Sequence, residues 1–193
     1  KPLRVKSFAK FLRTVRVCRA VVAGNEFLAG FARPICPEVH VLPTPIDTDR
    51  YIPASGAQPR DGVTVGWLGT PGGLPHVAAL ADVFRTVAQR VKGFRLKIVS
   101  SDFIDLTGVE VVKKRYRVED EIADLQSFDI GIMPLQDTLW TRGKCGFKIL
   151  QYMGVGVPAV ASPVGINSEL IRHGETGFLA ANAEAWREAL LAL

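Results

Sequence analysis

The chain has 193 residues, of which 48% are hydrophobic and 22% charged, and its formal net charge is +5. This composition predicts a folded globular protein and excludes a disordered chain. No apolar run approaches the roughly 18 residues that a transmembrane helix requires. Cys18, Cys36 and Cys145 are odd in number and lack metal-binding spacing, so we expect a cytoplasmic protein without a zinc site.

The N-terminal segment carries an uneven share of the positive charge. The first 25 residues hold seven of the 24 basic residues and none of the 19 acidic ones. Apolar residues at helical spacing from Val5 to Val15 predict an amphipathic helix over residues 4–17. This helix could lie on an anionic inner membrane surface, or it could be the solvated face of a helix within a larger domain. Because the remaining charge is balanced, we expect no nucleic-acid partner.

Short elements and a proline-rich segment follow. The sequence predicts a strand over 20–23, a helix over 25–32 capped by Asn25, and a strand over 39–42. Residues 43–62 then contain four prolines and few apolar residues, which predicts a linker between domains.

The linker contains a D-x-D triplet formed by Asp47 and Asp49. Such a pair of carboxylates can hold a divalent ion against a diphosphate. Here the triplet precedes the first strand of the next domain rather than following a strand within it. We therefore predict a capped turn and no metal site.

Beyond the linker, strands and helices alternate. The predicted strands cover 63–68, 95–99, 109–112, 129–133 and 158–161, and the predicted helices cover 75–91, 119–126, 146–153, 167–172 and 182–192. Each strand is almost entirely apolar, which indicates a parallel sheet with helices on both faces. Residues 47–193 are predicted to form a Rossmann-like α/β domain, and residues 1–46 the tail of a preceding Rossmann-like domain.

In such a sheet, ligands bind beyond the carboxyl ends of the strands. Four segments are predicted to lie there: 69–73, 100–102, 113–117 and 134–146. The first is glycine-rich, which lets the backbone approach a ligand closely. The third is basic with one aromatic residue, which suits a base or a phosphate. The candidate binding residues from these two segments are Gly69, Thr70, Gly72, Gly73, Arg115 and Tyr116.

The segment GKCGFKILQYMGVGVPAVASPVG, residues 143–165, places polar residues on an apolar helix. Lys144, Lys148 and Gln151 are predicted to share one helical face. Two ammonium groups, Arg142 and a helix N-terminus would hold a diphosphate, and Gln151 would reach ribose hydroxyls. The core-facing residues would be Ile149, Leu150 and Met153. The alternative is an ordinary amphipathic helix whose polar face meets water.

The same segment resembles the donor-binding domain of GT-B glycosyltransferases of family four, also described as glycosyl transferases group 1. VGWLGTPGG, FDIGIMPL and HGETGFLA share this resemblance, and their order and spacing are similar to those of the family. AVVAGNEFLAGFA and LPTPIDTDRY are similar to the end of the acceptor domain and the interdomain linker. The resemblance therefore covers nearly the whole chain.

The resemblance implies the roles of further residues. In this family an E-x7-E motif contacts the donor sugar with its first Glu and the nucleotide ribose with its second. Gly143 and Gln151 occupy these positions here. Gln151 can still bond a ribose hydroxyl, whereas Gly143 has no side chain for the sugar. The implied donor-binding residues also include Cys145, Gly146 and Phe147.

The resemblance also implies an activity. We expect a retaining, hexosyltransferase-type enzyme that moves a sugar from a nucleoside diphosphate sugar to a saccharide or lipid-linked acceptor, without a metal or cofactor. These 193 residues would be a fragment of that enzyme and inactive alone. Two alternatives stay open: a non-catalytic nucleotide-sugar-binding module, or a nicotinamide-dependent oxidoreductase that uses Gly66, Gly69, Gly73 and Asp102.

Overall fold

The computed structural model describes residues 8–56 and 61–193. Its strands are β1 Val21–Ala23, β2 Val39–Val41, β3 Thr64–Leu68, β4 Arg95–Ser100, β5 Glu110–Arg115, β6 Ile130–Met133, β7 Ala159–Ala161 and β8 Gly177–Leu179. Its helices are α1 Phe8–Val17, α2 Glu26–Ala32, α3 Leu74–Ala78, α4 Ala81–Ala88, α5 Glu121–Gln126, α6 Leu139–Arg142, α7 Phe147–Gly154, α8 Asn167–Leu170 and α9 Ala183–Ala192. The predicted start of the first helix at residue 4 lies outside the described residues.

Six parallel strands form the main sheet in the order β5-β4-β3-β6-β7-β8. Every residue of β3, β6 and β7 is buried, because helices pack on both faces. Helices α3, α4 and α9 contribute to one apolar cluster, and α5 and α7 contribute to the other. This arrangement confirms the predicted Rossmann-like parallel sheet. The strand order reverses between β3 and β6, and a ligand site is expected beside that reversal.

Two features of the sheet domain differ from the sequence prediction. The predicted helix over 75–91 is two helices, because the chain turns at Leu80, whose buried side chain joins the same core cluster as both helices. The last strand, β8, was not predicted from the sequence. It pairs closely with β7, since a Cβ at Gly177 would stand 2.5 Å from the carbonyl oxygen of Ala159.

The N-terminal elements form a separate two-stranded parallel sheet, in which α2 connects β1 to β2. Asn25 caps α2 as predicted, since its Oδ1 accepts from the backbone N–H of Leu28 at 2.9 Å. Val15 of α1 is buried, whereas Phe8 is 60% exposed. Contact of α1 with a membrane surface stays a prediction. In the part of the chain that the structure describes, every helix is too short or too polar to cross a membrane.

The segment between the two sheets packs against the larger one. Ile46 and Tyr51 contact the core cluster that includes α7, and Tyr51 is only 6% exposed. Asp47 caps a turn, as predicted, because its Oδ1 accepts from the backbone N–H groups of Asp49 and Arg50. The described residues contain no cluster of metal-ligating side chains. The domain boundary at residue 47 stays a prediction.

Candidate ligand-binding site

A cavity of about 490 Å³ opens at the carboxyl edge of the sheet, where the strand order reverses. The ends of β3, β4, β5 and β6 contribute to its walls, together with the start of α5 and the segment that leads into α7. Its lining residues are Leu68, Gly69, Thr70, Ser101, Tyr116, Glu121, Met133, Lys144, Cys145, Gly146, Phe147, Lys148 and Gln151. Its position and size are typical of a small-molecule site in an open α/β sheet.

The cavity brings together most of the candidates taken from the sequence. Those that line it are Gly69, Thr70, Tyr116, Lys144, Cys145, Gly146, Phe147, Lys148 and Gln151. Those that do not line it are Gly72, Gly73, Arg115, Arg142 and Gly143. Sequence reasoning missed Leu68, Glu121 and Met133. It placed Ser101 at the ligand-binding edge within segment 100–102 but did not name it as a binding residue. Glu121 had a detectable signal, because it lies in the first turn of the helix predicted over 119–126.

The basic segment 113–117 differs from its prediction as a loop. Strand β5 continues to Arg115, so most of the segment belongs to the edge of the sheet. Lys113 pairs with Asp105 at 2.6 Å, and Lys114 pairs with Asp120 at 2.7 Å. Their charges are thus matched by nearby carboxylates, and only Tyr116 reaches the cavity.

Arg142 also lies outside the cavity. Its guanidinium donates to both carboxylate oxygens of Asp137, at 2.6 and 2.8 Å. This bond, reinforced by the positive charge, lowers the pKa of the Asp137 carboxyl. Arg142 therefore neutralises a neighbouring acid rather than adding positive charge to the cavity.

Helix α7 presents its N-terminus to the cavity. It begins at Phe147, so Lys144 lies in the preceding segment and not on the predicted helical face with Lys148 and Gln151. Gly146 is the N-cap at φ 67°, and no side chain caps the first turn. A Cβ at Gly146 would stand 2.3 Å from Leu170 Cδ1, so both the backbone angle and the packing require glycine. The first backbone N–H groups of α7 are thus open to an anion.

The residues of α7 that pack in the core differ in part from the predicted ones. Ile149 is fully buried, whereas Leu150 and Met153 are only half-buried. The fully buried side chain that the sequence did not predict is Tyr152, whose hydroxyl donates to the carbonyl oxygen of Ile132 and accepts from the Leu68 N–H. The hydroxyl thereby bridges β3 and β6 beside the cavity.

Lys148 is a half-buried cation beside the ring of Trp67. Its Nζ lies 5.8 Å from the centroid of the Trp67 ring. Burial, and then the charge of Lys144, lowers the pKa of Lys148 to about 8. No carboxylate among the described residues pairs with it. A cavity that holds two neighbouring ammonium groups beside a helix N-terminus is suited to a ligand with more than one negative charge.

We expect the affinity of this cavity for a diphosphate to fall as the pH rises through about 8, because Lys148 loses its proton there. Below that pH the ammonium is present and attracts the anion. Calorimetric titration of a nucleoside diphosphate at pH 7 and at pH 9 measures the effect. This change in affinity should be absent in Lys148→Met. An equal change in the wild type and in Lys148→Met would show that Lys148 does not cause it.

The opposite wall of the cavity carries a network around Glu121. Its carboxylate accepts from the Tyr51 hydroxyl at 2.5 Å, the Tyr116 hydroxyl at 2.8 Å and the Arg50 guanidinium at 3.4 Å. The bond to Glu121 raises the pKa of Tyr116 to about 12. Gln151 donates from Nε2 to the Tyr51 hydroxyl at 3.1 Å and is only 2% exposed. The wall is therefore ordered before any ligand binds.

The N-terminal elements hold the segment before α7 in place. Asn25 Nδ2 donates to the carbonyl oxygens of Arg142 at 3.4 Å and Lys144 at 3.1 Å. Asn25 is buried, and a Cβ at the adjacent Gly24 would stand 2.4 Å from Cys145 Sγ. The close approach of these two segments fixes the backbone that carries Lys144 and Cys145 into the cavity.

The six-stranded parallel sheet and the cavity at its carboxyl edge define a Rossmann-like α/β domain with a small-molecule site. The chain belongs to the glycosyl transferases group 1 family, because the sequence pattern of that family matches residues 62–193. A search of curated proteins found no match.

Solved structures share the fold at low sequence identity. Anabaena HepE, determined with UDP and glucose, superposes with a TM-score of 0.68 at 16% identity over 96% of this chain and 56% of HepE. A Rickettsia africae glycosyltransferase superposes with a TM-score of 0.69 at 15% identity, over 95% of this chain and 56% of the Rickettsia chain. Staphylococcus aureus TarM, determined with UDP, superposes with a TM-score of 0.68 at 14% identity, over 96% of this chain and 38% of TarM. The chain thus spans little more than half the length of these proteins, or less.

Proposed function

We propose that the cavity binds a nucleoside diphosphate sugar as the donor of a glycosyl transfer reaction. The observation that carries this proposal is the arrangement of charge within one cavity. Lys144, Lys148 and the open N-terminus of α7 lie on one side, and hydrogen-bonding side chains around Gln151 lie on another. Membership of the glycosyl transferases group 1 family supports the same ligand class.

In this proposal, the protein lowers the barrier by stabilising charge on the leaving diphosphate. Lys144, Lys148 and the backbone of 146–148 would supply this stabilisation, so the reaction would need no metal. Gly69 and Thr70 would shape the wall beside the phosphates, and Tyr116 would border the nucleoside. The transfer would retain the configuration of the sugar, as the family resemblance implies.

The ligands of the fold relatives support the proposed class of donor. HepE was determined with UDP and glucose, and TarM with UDP, so we propose a hexose on a nucleoside diphosphate. The acceptor would be a hydroxyl of a saccharide or a lipid-linked saccharide. The nicotinamide alternative gains no support from the family match, and Asp102 bonds the adjacent Phe103 N–H through its carboxylate.

We propose that transfer requires more than these 193 residues, since the chain covers 56% of HepE and 38% of TarM. Holding donor and acceptor together can supply roughly 7–11 kcal/mol of a reaction barrier. We infer that this chain supplies the donor half of that arrangement. It would bind the donor with transfer undetectable above donor hydrolysis.

Calorimetric titration of the 193-residue chain with UDP, GDP, ADP and NAD tests the donor proposal. We expect one nucleoside diphosphate to bind, and EDTA to leave its affinity unchanged, because protein groups meet the diphosphate charge. The ligand should raise the unfolding free energy by about 2.7 kcal/mol at 100 times its Kd. Tighter binding of NAD, or loss of binding in EDTA that manganese or magnesium restores, would contradict the proposal.

A further inference from the structure

Glu121 is a buried acid in a cavity that otherwise attracts anions. It is only 7% exposed, and the other residues lining the cavity include no Asp or Glu. Burying a carboxylate is costly unless hydrogen bonds satisfy it. Its strongest partners, Tyr51 and Tyr116, are neutral, and Arg50 is more distant at 3.4 Å. The wall thus keeps a negatively charged acceptor at the cavity surface.

The carboxylate retains capacity to accept a further hydrogen bond. An ionised carboxylate offers about four lone-pair sites on its two oxygens. Within the described part of the chain, Oε1 accepts from Tyr51 and Arg50, whereas Oε2 accepts from Tyr116 alone. Since Glu121 lines the cavity, the remaining site on Oε2 is available to a ligand donor.

Glu121 also fixes the orientation of the Gln151 amide through Tyr51. The single hydroxyl proton of Tyr51 goes to Glu121, so the hydroxyl oxygen can only accept from its other neighbour. Gln151 must therefore turn its NH₂ group toward Tyr51, as observed. Its Oε1 accepts no hydrogen bond from the described residues. The network thus prepares two acceptors, Glu121 Oε2 and Gln151 Oε1.

We propose that Glu121, together with Gln151, recognises the 2′,3′-diol of the donor nucleoside, and that Glu121 positions the Gln151 amide for this contact. The inference rests on the proposed donor function. Two adjacent hydroxyls supply the two donors that this acceptor pair lacks. A phosphate would be repelled by the carboxylate, and the lysine side of the same cavity attracts it instead. Glu121 therefore sets the direction in which the nucleotide binds.

The test compares a nucleoside diphosphate with its 2′,3′-dideoxy form by calorimetry, in the wild-type chain and in Glu121→Gln. We expect the wild type to prefer the ribonucleotide, and Glu121→Gln to reduce this preference by roughly tenfold or more, because it removes a charge-assisted hydrogen bond. Glu119→Gln removes the same charge from an exposed neighbour outside the cavity and should retain the preference.

A second variant, Tyr51→Phe, tests whether Glu121 orients the Gln151 amide, and thermal unfolding tests whether each variant stays folded. Tyr51→Phe keeps the carboxylate but breaks the relay that orients Gln151, so it should also reduce the preference for the ribonucleotide. Thermal unfolding of each variant shows whether it remains folded at the temperature of the titration. The preference is a ratio of two affinities in the same protein, which a general loss of stability does not change.

The outcomes distinguish this inference from the donor proposal. If the wild-type chain binds neither nucleotide, the donor proposal fails and this inference fails with it. If the wild type binds the ribonucleotide but Glu121→Gln and Tyr51→Phe keep its preference, the donor proposal stands and the role of Glu121 is wrong. Equal weakening of both ligands in Glu121→Gln would show that the carboxylate does not contact the diol and would overturn the diol assignment.

Discussion

Lys148→Met is expected to weaken binding of a nucleoside diphosphate by about 1.5–3 kcal/mol, the usual cost of losing a hydrogen bond to a charged group. Binding of the matching nucleoside should change far less, because the ammonium is proposed to face the phosphates. Methionine keeps most of the aliphatic volume against Trp67, so the loss reports the charge. Calorimetry of the diphosphate and the nucleoside measures both effects.

Arg142→Met is the matched control for this prediction. It removes one positive charge six residues away in the sequence, but Arg142 pairs with Asp137 and does not line the cavity. We expect it to retain nearly the wild-type affinity for the diphosphate. Equal weakening of diphosphate and nucleoside in Lys148→Met, or an equal loss in the two variants, would show that Lys148 does not bind phosphate.

Gly69→Ala is expected to weaken the same binding by roughly fivefold or more, because overpacking typically costs about 1–3 kcal/mol and would here move groups of the cavity. A Cβ at this position would stand 2.6 Å from Trp67 Cζ2 and 2.9 Å from Lys148 Cε. The added methyl group must displace the lysine side chain or the indole ring that supports it. Calorimetry gives the affinity, and thermal unfolding gives the accompanying loss of stability.

Gly72 provides the control in the same glycine-rich segment. A Cβ there would meet no atom within 4 Å, and Gly72 does not line the cavity. Gly72→Ala should therefore bind and unfold like the wild type. If Gly69→Ala behaves like Gly72→Ala, the segment tolerates a side chain, and close packing at Gly69 does not shape the phosphate side of the cavity.

The parallel sheet was predictable because its signal is local. Apolar strands such as residues 129–133 alternate with helical segments, and a strand buried on both faces requires nearly every residue to be apolar. The sequence did not predict strand β8 or helix α6, which have three and four residues. The break between α3 and α4 was missed because packing of Leu80, rather than Gly or Pro, places it.

The candidate site was partly predictable for the same reason. Gly69, Lys148 and Gln151 belong to segments that follow strands, so topology alone directs them to one edge of the sheet. The positive charges of Arg142 and Lys113 were also visible in the sequence, but the sequence did not show which acidic residues they pair with. Those pairings depend on side-chain geometry between segments, which no spacing in the sequence reveals.

The sequence by itself determined the fold class, the carboxyl edge as the place for a ligand, and the family resemblance, because each depends on residue order along short segments. Only the tertiary structure decided which charges remain free for that ligand. It pairs Arg142 with Asp137, leaves Lys148 without a carboxylate among residues 8–56 and 61–193, and brings Glu121 within bonding distance of Tyr51. Glu121 and Tyr51 are 70 residues apart in the chain, so only folding brings this acceptor to the cavity wall.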